Sequence, residues 1–364
     1  MFVVVRAHLL VAEVRVHLDL VHRRDDVGLG GQPLQVGHLE VRHPDRAGPA
    51  AGAALVTAGG LAVAAPVGPA RAATPANAPA PAGAARRSGP VSFRWWGTSG
   101  WHVDIGDRTV LVDPYLSRYD TGLFTGAFDP ATGLTVDETA LDRHADRATT
   151  ILVTHTHWDH FNDVPRIAER TGARVFGTLT AYHLGLAYGL PSGQLSPVKG
   201  GEVLDFGDHT VEVVSSLHSR NASYSLAFPG VRVSRPARPA TIADLPEGDT
   251  LAYQVRVADG PAVFFMGASD FAERDLAGLA PDVAMVALQS STATADYVPR
   301  LMAALDYPRV VVPVHWDNFE TPLTNPPTVA PNDRQRLDAL VAAVREASPR
   351  SRVLVPEYHT AYHF

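Results

Sequence analysis

A short apolar segment runs directly into a dense cluster of histidines. Residues 149–161 read TTILVTHTHWDHF, and the apolar half predicts a buried strand. His155 and His157 are two positions apart at the end of that strand, so both side chains can point to one side. Asp159 and His160 follow on the turn into a helix, where they can face the same space. Neutral imidazole and carboxylate are good ligands for zinc and related divalent ions, so this segment predicts a metal site.

The alternative interpretation is a chance polar patch at the end of a strand. At the residue frequencies of this chain, His-x-His-x-Asp-His arises by chance with odds on the order of a few in a thousand. Three further ligand-type residues, His218, Asp270 and His315, come at or just after the ends of predicted strands. Active sites of layered α/β folds gather at the carboxyl ends of strands, so these residues are expected to converge. Four ligands within six residues suit two adjacent ions better than one.

Composition limits the chemistry further. The 364 residues include no cysteine, so any metal must be held by His, Asp or Glu and no disulfide framework is possible. The net charge of −7 gives no basic footprint, and we expect no nucleic-acid partner. We expect a small-molecule substrate or, as the family resemblance described below implies, a lipid, and the sequence leaves the oligomeric state open.

The N-terminal quarter of the chain differs in composition from the rest. We expect residues 1–50 to be a non-native or disordered extension, with the true translation start downstream of Met1. Residues 51–72 resemble a secretory signal: a short uncharged apolar run followed by small residues around a cleavage site. A low-complexity linker is the alternative for this segment, which is too short and too rich in Ala and Gly for a good membrane span. Residues 73–90 read as a flexible linker before a domain at 91–364.

These segments predict export to the cell envelope or the medium, with a cytoplasmic location if the apolar segment is not a signal. The absence of disulfides permits export without arguing for it.

Strands and helices alternate in the domain. Short strands open it, mixed strands and helices follow the histidine cluster, and the pattern of strands then mixed elements repeats after residue 200. Residues 163–172 predict a helix capped by Asn162 or Asp163 and stopped by Gly172. Further helices are predicted at 180–189, 295–306 and 332–347. This order predicts an α/β fold with two sheets, each covered by helices on its outer face.

The chain resembles the metallo-β-lactamase-fold hydrolases through THTHWDH, LHS at 217–219, GASD at 267–270 and VHWDNF at 314–319. Within that superfamily it is most similar to the branch of ascorbate-6-phosphate lactonase and N-acyl-phosphatidylethanolamine phospholipase D. RWWGTSG, LVDPYLS and HWDNF carry that closer likeness. The resemblance implies a four-layer αβ/βα sandwich.

The resemblance also implies a ligand set. One ion would be held by His155, His157 and His218, and a second by Asp159, His160 and His315, with an aspartate bridging them. The family usually has Gly-Asp directly after the strand, whereas here Ala268 and Ser269 separate Gly267 from Asp270. Asp270 is therefore expected to bridge only if the loop bulges.

The expected reaction follows from the metal. A zinc-bound water has a pKa near 7, so hydroxide becomes available at neutral pH. The predicted activity is hydrolysis of an ester, lactone, amide or phosphodiester, with Asp159 accepting a proton from the water. Two zinc ions are expected, and manganese or iron accept the same ligands. The resemblance implies a supporting role for Asp113 behind the ligands, and a turn at the end of the strand before Pro114 is the alternative.

Other residues are expected around the pocket, and two other functions stay open. Trp316, Asp317 and Asn318 are predicted to line the pocket, and residues 118–133 to form a lid over it. One rival function is a degenerate member that binds metal or ligand without catalysis. A redox di-iron protein is weaker, because those proteins usually need an attached flavin domain.

Overall fold

The structure is a computed structural model, and it describes four stretches of the chain. These are residues 3–11, 14–22, 89–288 and 293–364. The signal-like segment at 51–72 and nearly all of the predicted linker at 73–90 lie outside the described residues.

The chain divides into two units, Met1–Thr74 and Pro75–Phe364. In the first, β1 (Val3–Val11) and β2 (Val14–His22) form an antiparallel pair. Val11 lies opposite Val14 at one end of this pair.

The second unit contains two seven-stranded sheets. The first sheet has the order β16-β3-β4-β5-β6-β7-β8. Its strands are β3 (Val91–Trp95), β4 (Trp101–Ile105), β5 (Arg108–Val112), β6 (Thr150–Leu152), β7 (Arg174–Gly177), β8 (Leu195–Pro197) and β16 (Ala361–Tyr362). Pairing is antiparallel from β16 to β5 and parallel from β5 to β8.

The second sheet repeats this arrangement, in the order β15-β14-β13-β12-β11-β10-β9. Its strands are β9 (Val203–Asp205), β10 (His209–Ser216), β11 (Thr250–Val257), β12 (Ala262–Met266), β13 (Val283–Ala287), β14 (Val310–Val314) and β15 (Arg352–Val353). Pairing is antiparallel from β9 to β12 and parallel from β12 to β15.

Seven α-helices are described. They are α1 (Glu138–His144), α2 (Trp158–Phe161), α3 (Val164–Thr171), α4 (Leu179–Tyr188), α5 (Glu273–Leu276), α6 (Tyr297–Ala304) and α7 (Pro331–Ala347). The four helices predicted from sequence are confirmed as α3, α4, α6 and α7. Asp163 is the N-cap of α3, and Gly172 ends it with φ of 72°, a left-handed conformation that glycine adopts easily. Helix α1, inside an apparent loop, was not predicted.

Alternating side chains along the strands build the layers. In β5, Val110 and Val112 belong to the core shared by the two sheets, which also contains Phe264 of the second sheet. Leu111, between them, packs instead in a separate core with residues of α1, α3 and α4, such as Ile167. Residues of α6 and α7 join the inter-sheet core from the other side. The predicted αβ/βα sandwich is confirmed. No helix among the described residues is long and apolar enough to cross a membrane.

Candidate metal centre

The histidine segment lies at the carboxyl end of β6, and its threonines anchor it. The backbone N–H of Thr154 donates to Asp113 (2.7 Å), and the Thr154 carbonyl accepts from Leu251 at the start of β11 (2.8 Å). Thr156 donates its N–H to the Glu247 carbonyl (3.1 Å). Thr154 and Thr156 are therefore hydrogen-bonded to neighbouring parts of the fold, whereas His155 and His157, which alternate with them, belong to the site.

The structure brings six of the seven predicted ligands into two groups. His155, His157 and His218 form the first group, and Asp159, His160 and His315 form the second. Within each group the potential ligand atoms lie within 4.8 Å of one another. The rings of His155 and His160 are 3.9 Å apart between centroids, so the groups are adjacent.

Hydrogen bonds fix which ring nitrogens face the cation positions. The Nε2 atom of His157 donates to the Ala227 carbonyl (3.0 Å), and Nδ1 of His218 donates to the Ser219 carbonyl (2.7 Å). Nδ1 of His160 bonds the Asp113 carboxylate (2.8 Å). Each bond leaves the other nitrogen of that ring as an unprotonated lone pair, which is the form that binds a metal.

The residues present fit divalent cations. Five imidazoles and one carboxylate are a donor set that zinc, manganese and iron accept. The Nε2 atom of His155 is buried and has no hydrogen-bond partner within the described chain. An unpaired buried nitrogen is costly unless it coordinates something, so this atom favours a metal over a structural polar cluster.

Burial keeps the first group neutral. It lowers the pKa of His157 to about 3, with His218 adding to the effect, and lowers the pKa of His218 to about 4. Burial and the neighbouring histidines also lower the pKa of His155 well below its usual range. Neutral imidazoles at physiological pH are ready to bind a cation without first losing a proton.

The second group carries charge. Burial would raise the pKa of Asp159, but His160 and His315 hold it well below its usual range, so it is ionised. Burial would lower the pKa of His160, but the carboxylates of Asp159 and Asp113 raise it. A cation bound here would be attracted by the Asp159 carboxylate.

Asp113 supports the second group from behind. It is fully buried and accepts three hydrogen bonds, from Thr154 N–H, Thr154 Oγ1 and His160 Nδ1. Its backbone has φ of 40°, so the chain turns sharply at the end of β5. One carboxylate therefore positions both the histidine segment and a ring of the second group.

Comparisons with known proteins give the family. The profile of the beta-lactamase superfamily domain matches residues 92–315, more than half of the chain. The chain belongs to the beta-lactamase superfamily.

Relatives of this chain match it over most of their own length. A metal-dependent hydrolase of Methylobacterium nodulans is 31% identical over 276 residues, covering 73% of this chain and 97% of the relative. Another, of Myxococcus xanthus, is 27% identical over 282 residues, covering 75% and 84%. A solved metallo hydrolase from Ignicoccus hospitalis has 20% identity and a TM-score of 0.49, covering 75% of this chain and 98% of that one.

Of the seven predicted ligands, Asp270 is the one that belongs to neither group. Its carboxylate accepts the N–H of Phe271 (2.9 Å), and its backbone pairs with Leu217. The position directly after Gly267 is filled by Ala268, which has no ligand atom. Among the described residues, no side chain belongs to both groups. A bridging role for Asp270 stays a prediction that the geometry does not support.

Trp316 and Asp317, which follow His315, were expected to line the pocket, but both are buried against other parts of the chain. Trp316 is buried and stacks on Trp95, with 5.2 Å between ring centroids. Asp317 is buried and forms an ion pair with Arg118 (2.8 Å). These residues hold the loop that presents His315, which has φ of 60°. Asn318 is only partly buried, and its side chain accepts the N–H of Glu320 (3.0 Å).

An aromatic cover packs against the site, and one of its members, Phe128, belongs to the lid predicted at residues 118–133. Phe228 packs edge-on to His157 (6.0 Å between centroids), and Phe319 packs edge-on to His315 (5.2 Å). Trp158 contacts both phenylalanines, and Phe128 of the predicted lid contacts Trp158 (6.0 Å). Phe228 was not predicted, because it lies in a loop distant from the histidines along the chain and no spacing rule places it beside them.

Proposed function

We propose that the protein is a metal-dependent hydrolase acting on an ester, lactone or phosphodiester. The proposal rests on the two adjacent groups of three potential ligands, which lie at the carboxyl ends of strands from both sheets. Its superfamily membership and the relatives named as metal-dependent hydrolases support it. Zinc is our preferred metal, and the likeness to the lactonase and phospholipase D branch is the basis for the substrate classes.

In this proposal His155, His157 and His218 would hold one cation, and Asp159, His160 and His315 a second. When bound, such cations lower the pKa of water and polarise the oxygen of the group under attack. Asp159 is the one carboxylate of the second group and lies 3.2 Å from His315, and in this proposal it would accept a proton from the attacking water. Asp113 keeps His160 oriented.

Elemental analysis combined with a hydrolase screen tests the proposal. Purified wild-type protein should contain up to two equivalents of a transition metal and hydrolyse at least one ester, lactone or phosphodiester. His157→Ala should lose metal from the first group and lose turnover. His209→Ala is the matched control, because His209 is also buried but lies outside both groups. Equal metal content in wild type and His157→Ala would refute the assignment.

A second candidate function is metal or ligand binding without catalysis. The absence of a carboxylate shared by the two groups among the described residues favours it. Stable metal binding with no turnover on any substrate class would select this candidate over the hydrolase.

We also propose that the protein is exported, on the basis of residues 51–72. Mass spectrometry of the protein purified from its native source tests this. A mature N-terminus near residue 73 is expected, and an N-terminal peptide from residues 1–40 would refute both the cleavage and the downstream start.

A further inference from the structure

The ring of His315 is held differently from the rings of three other grouped histidines. In His157, His160 and His218, one ring nitrogen hydrogen-bonds a backbone carbonyl or a carboxylate outside the groups. In His315 the Nε2 atom lies 3.2 Å from Asp159, within the second group. The buried Nδ1 atom of His315 has no hydrogen-bond partner among the described residues. The direction of this ring therefore depends on the groups that pack against it.

Phe319 is an aromatic side chain packed against that ring. It meets the His315 ring edge-on, with 5.2 Å between the ring centroids and 88° between the ring planes. Phe319 is itself buried and packs edge-on to Phe124, with 5.0 Å between the centroids. Phe124 belongs to the lid predicted at residues 118–133. Aromatic contacts therefore connect the lid to a candidate metal ligand.

Glu320, the residue after Phe319, hydrogen-bonds the same part of the lid. Its Oε1 atom accepts the backbone N–H (2.9 Å) and the hydroxyl of Thr121, and the N–H of Leu123 (3.3 Å). Its Oε2 atom accepts the N–H of Phe124 (3.5 Å). Hydrogen bonds to an ionised carboxylate are stronger than bonds between neutral groups. One side chain therefore joins residues 121–124, the lid segment, to the loop that carries His315.

Hydrogen bonds also run from the lid to this loop. Arg118 donates through Nη1 to the carbonyls of Asn318 and Thr321, at 3.4 Å each. Arg118 additionally forms the buried ion pair with Asp317. The side-chain hydrogen bonds of Glu320, within the described chain, go to the lid segment alone. Glu320 can therefore be replaced without breaking the buried ion pair.

We propose that Glu320 is a positioning residue for the second group. It holds the lid segment against the loop of His315, and this packing keeps Phe319 against the His315 ring. The inference rests on the second cation of the proposed function. It implies a coupling in both directions, because a lid segment that favours cation binding must itself be stabilised by the bound cation to the same extent.

Calorimetric titration of zinc into the metal-free protein tests the positioning role. Glu320→Ala should weaken zinc binding at the second group by about tenfold and leave the first group within about twofold of wild type, since removing a group that supports a metal ligand costs about 10- to 100-fold in affinity. Glu320→Gln keeps an oxygen that can accept from Thr121 and Leu123, so it should retain more of the affinity than Glu320→Ala does.

Asp244→Ala is the matched control. Asp244 also accepts two backbone N–H groups and a threonine hydroxyl, from Ala240 and Thr241, and it lies outside both groups. Its removal should change neither zinc affinity. Glu320 is only partly buried, so Glu320→Ala is expected to fold, and Glu320→Gln keeps the size of the side chain.

Hydrogen exchange of the Leu123 and Phe124 amides gives a readout that does not depend on turnover. Zinc at the second group of the wild type should slow this exchange by about tenfold, because the coupling is reciprocal. In Glu320→Ala the two amides should exchange faster, and zinc should no longer slow them. A merely structural role would speed the exchange in the variant without changing the zinc affinity of the second group.

The outcomes separate this inference from the proposed function. If the wild type binds two zinc ions, an unchanged second affinity in Glu320→Ala, or an equal loss at both groups, would overturn the positioning role and leave the hydrolase standing. An equal loss in Asp244→Ala, or exchange of the Leu123 and Phe124 amides that ignores zinc in the wild type, would also overturn it. A wild-type protein that binds zinc at neither group would refute the metal-dependent hydrolase, and this inference with it.

Discussion

Replacing Asp113 with asparagine tests how the second group is built. The carboxylate is fully buried, and its two oxygens accept from Thr154 N–H, Thr154 Oγ1 and His160 Nδ1. An asparagine amide keeps one oxygen and puts an NH₂ in place of the other. If the NH₂ faces the Thr154 N–H, one buried donor faces another, at a cost of about 1–3 kcal/mol. If it faces Thr154 Oγ1 and His160 Nδ1, both of these groups must become acceptors.

The substitution is expected to weaken metal binding because it changes which nitrogen of His160 carries the proton. If the NH₂ group faces His160, Nδ1 must become the acceptor and the ring proton moves to Nε2, which is the nitrogen on the Asp159 side. A protonated Nε2 cannot bind a cation. Loss of such a supporting partner typically weakens metal affinity by about 10- to 100-fold. We expect that loss in the second group, with a smaller effect on the first group through Thr154.

Calorimetric titration of zinc into the metal-free protein would resolve the two affinities. Asp104→Asn is a matched control, because Asp104 also accepts from a histidine, His102 (2.9 Å), and from Thr109 (3.0 Å), but lies outside both groups. It should leave both zinc affinities within about twofold of wild type. Unchanged affinity of the second group in Asp113→Asn, or an equal loss in the control, would refute the reasoning.

Three further predictions concern stability. Arg118→Met should lower the free energy of unfolding by about 3–5 kcal/mol in chemical denaturation, because it leaves the buried Asp317 carboxylate without a positively charged partner. Arg166→Met, at an exposed ion pair, should change the free energy of unfolding little. Burial and the stacked His144 ring lower the pKa of His359 to about 4 in the folded protein. In the unfolded chain the pKa of this histidine is near 6.5. The contribution of His359 to stability is therefore complete above about pH 6.5 and declines as the pH falls from about 6.5 towards 4. Thermal melts should show that decline in wild type and a shallower one in His359→Phe, and equal slopes would contradict the assignment. A chelator should lower the Tm of metal-loaded protein and zinc should restore it, since a ligand of the folded state stabilises it; an unchanged Tm would count against a bound cation.

Much of the fold was readable from local patterns. Residues 163–172 predicted α3 with both its boundaries, because a capping aspartate and a stopping glycine act within a few residues of the helix. Helix α1 escaped prediction because it lies within a long polar stretch, where only Leu141 is buried. The presence of two sheets was also predictable, since strands and helices alternate in two similar blocks.

The sequence predicted some residues of the site correctly and others wrongly. His155, His157, Asp159 and His160 could be grouped from their spacing, and six of the seven predicted ligands do meet. Asp270 does not join these ligands, because the number of residues between Gly267 and Asp270 does not determine the direction of its carboxylate. Trp316 and Asp317 were placed in the pocket because they follow a ligand, whereas burial and the partners Trp95 and Arg118 turn them inward.

The sequence by itself determined the elements and the donor chemistry: strand periodicity, helix ends, the histidine segment and the lack of thiols. Tertiary structure alone decided which nitrogen of each ring faces the cation positions, which carboxylate supports His160, and which aromatic side chains cover the site. The physical reason is range. Periodicity and capping depend on neighbours within a few residues, whereas ring orientation and burial depend on groups that folding brings together from distant parts of the chain, such as Asp113 and His160.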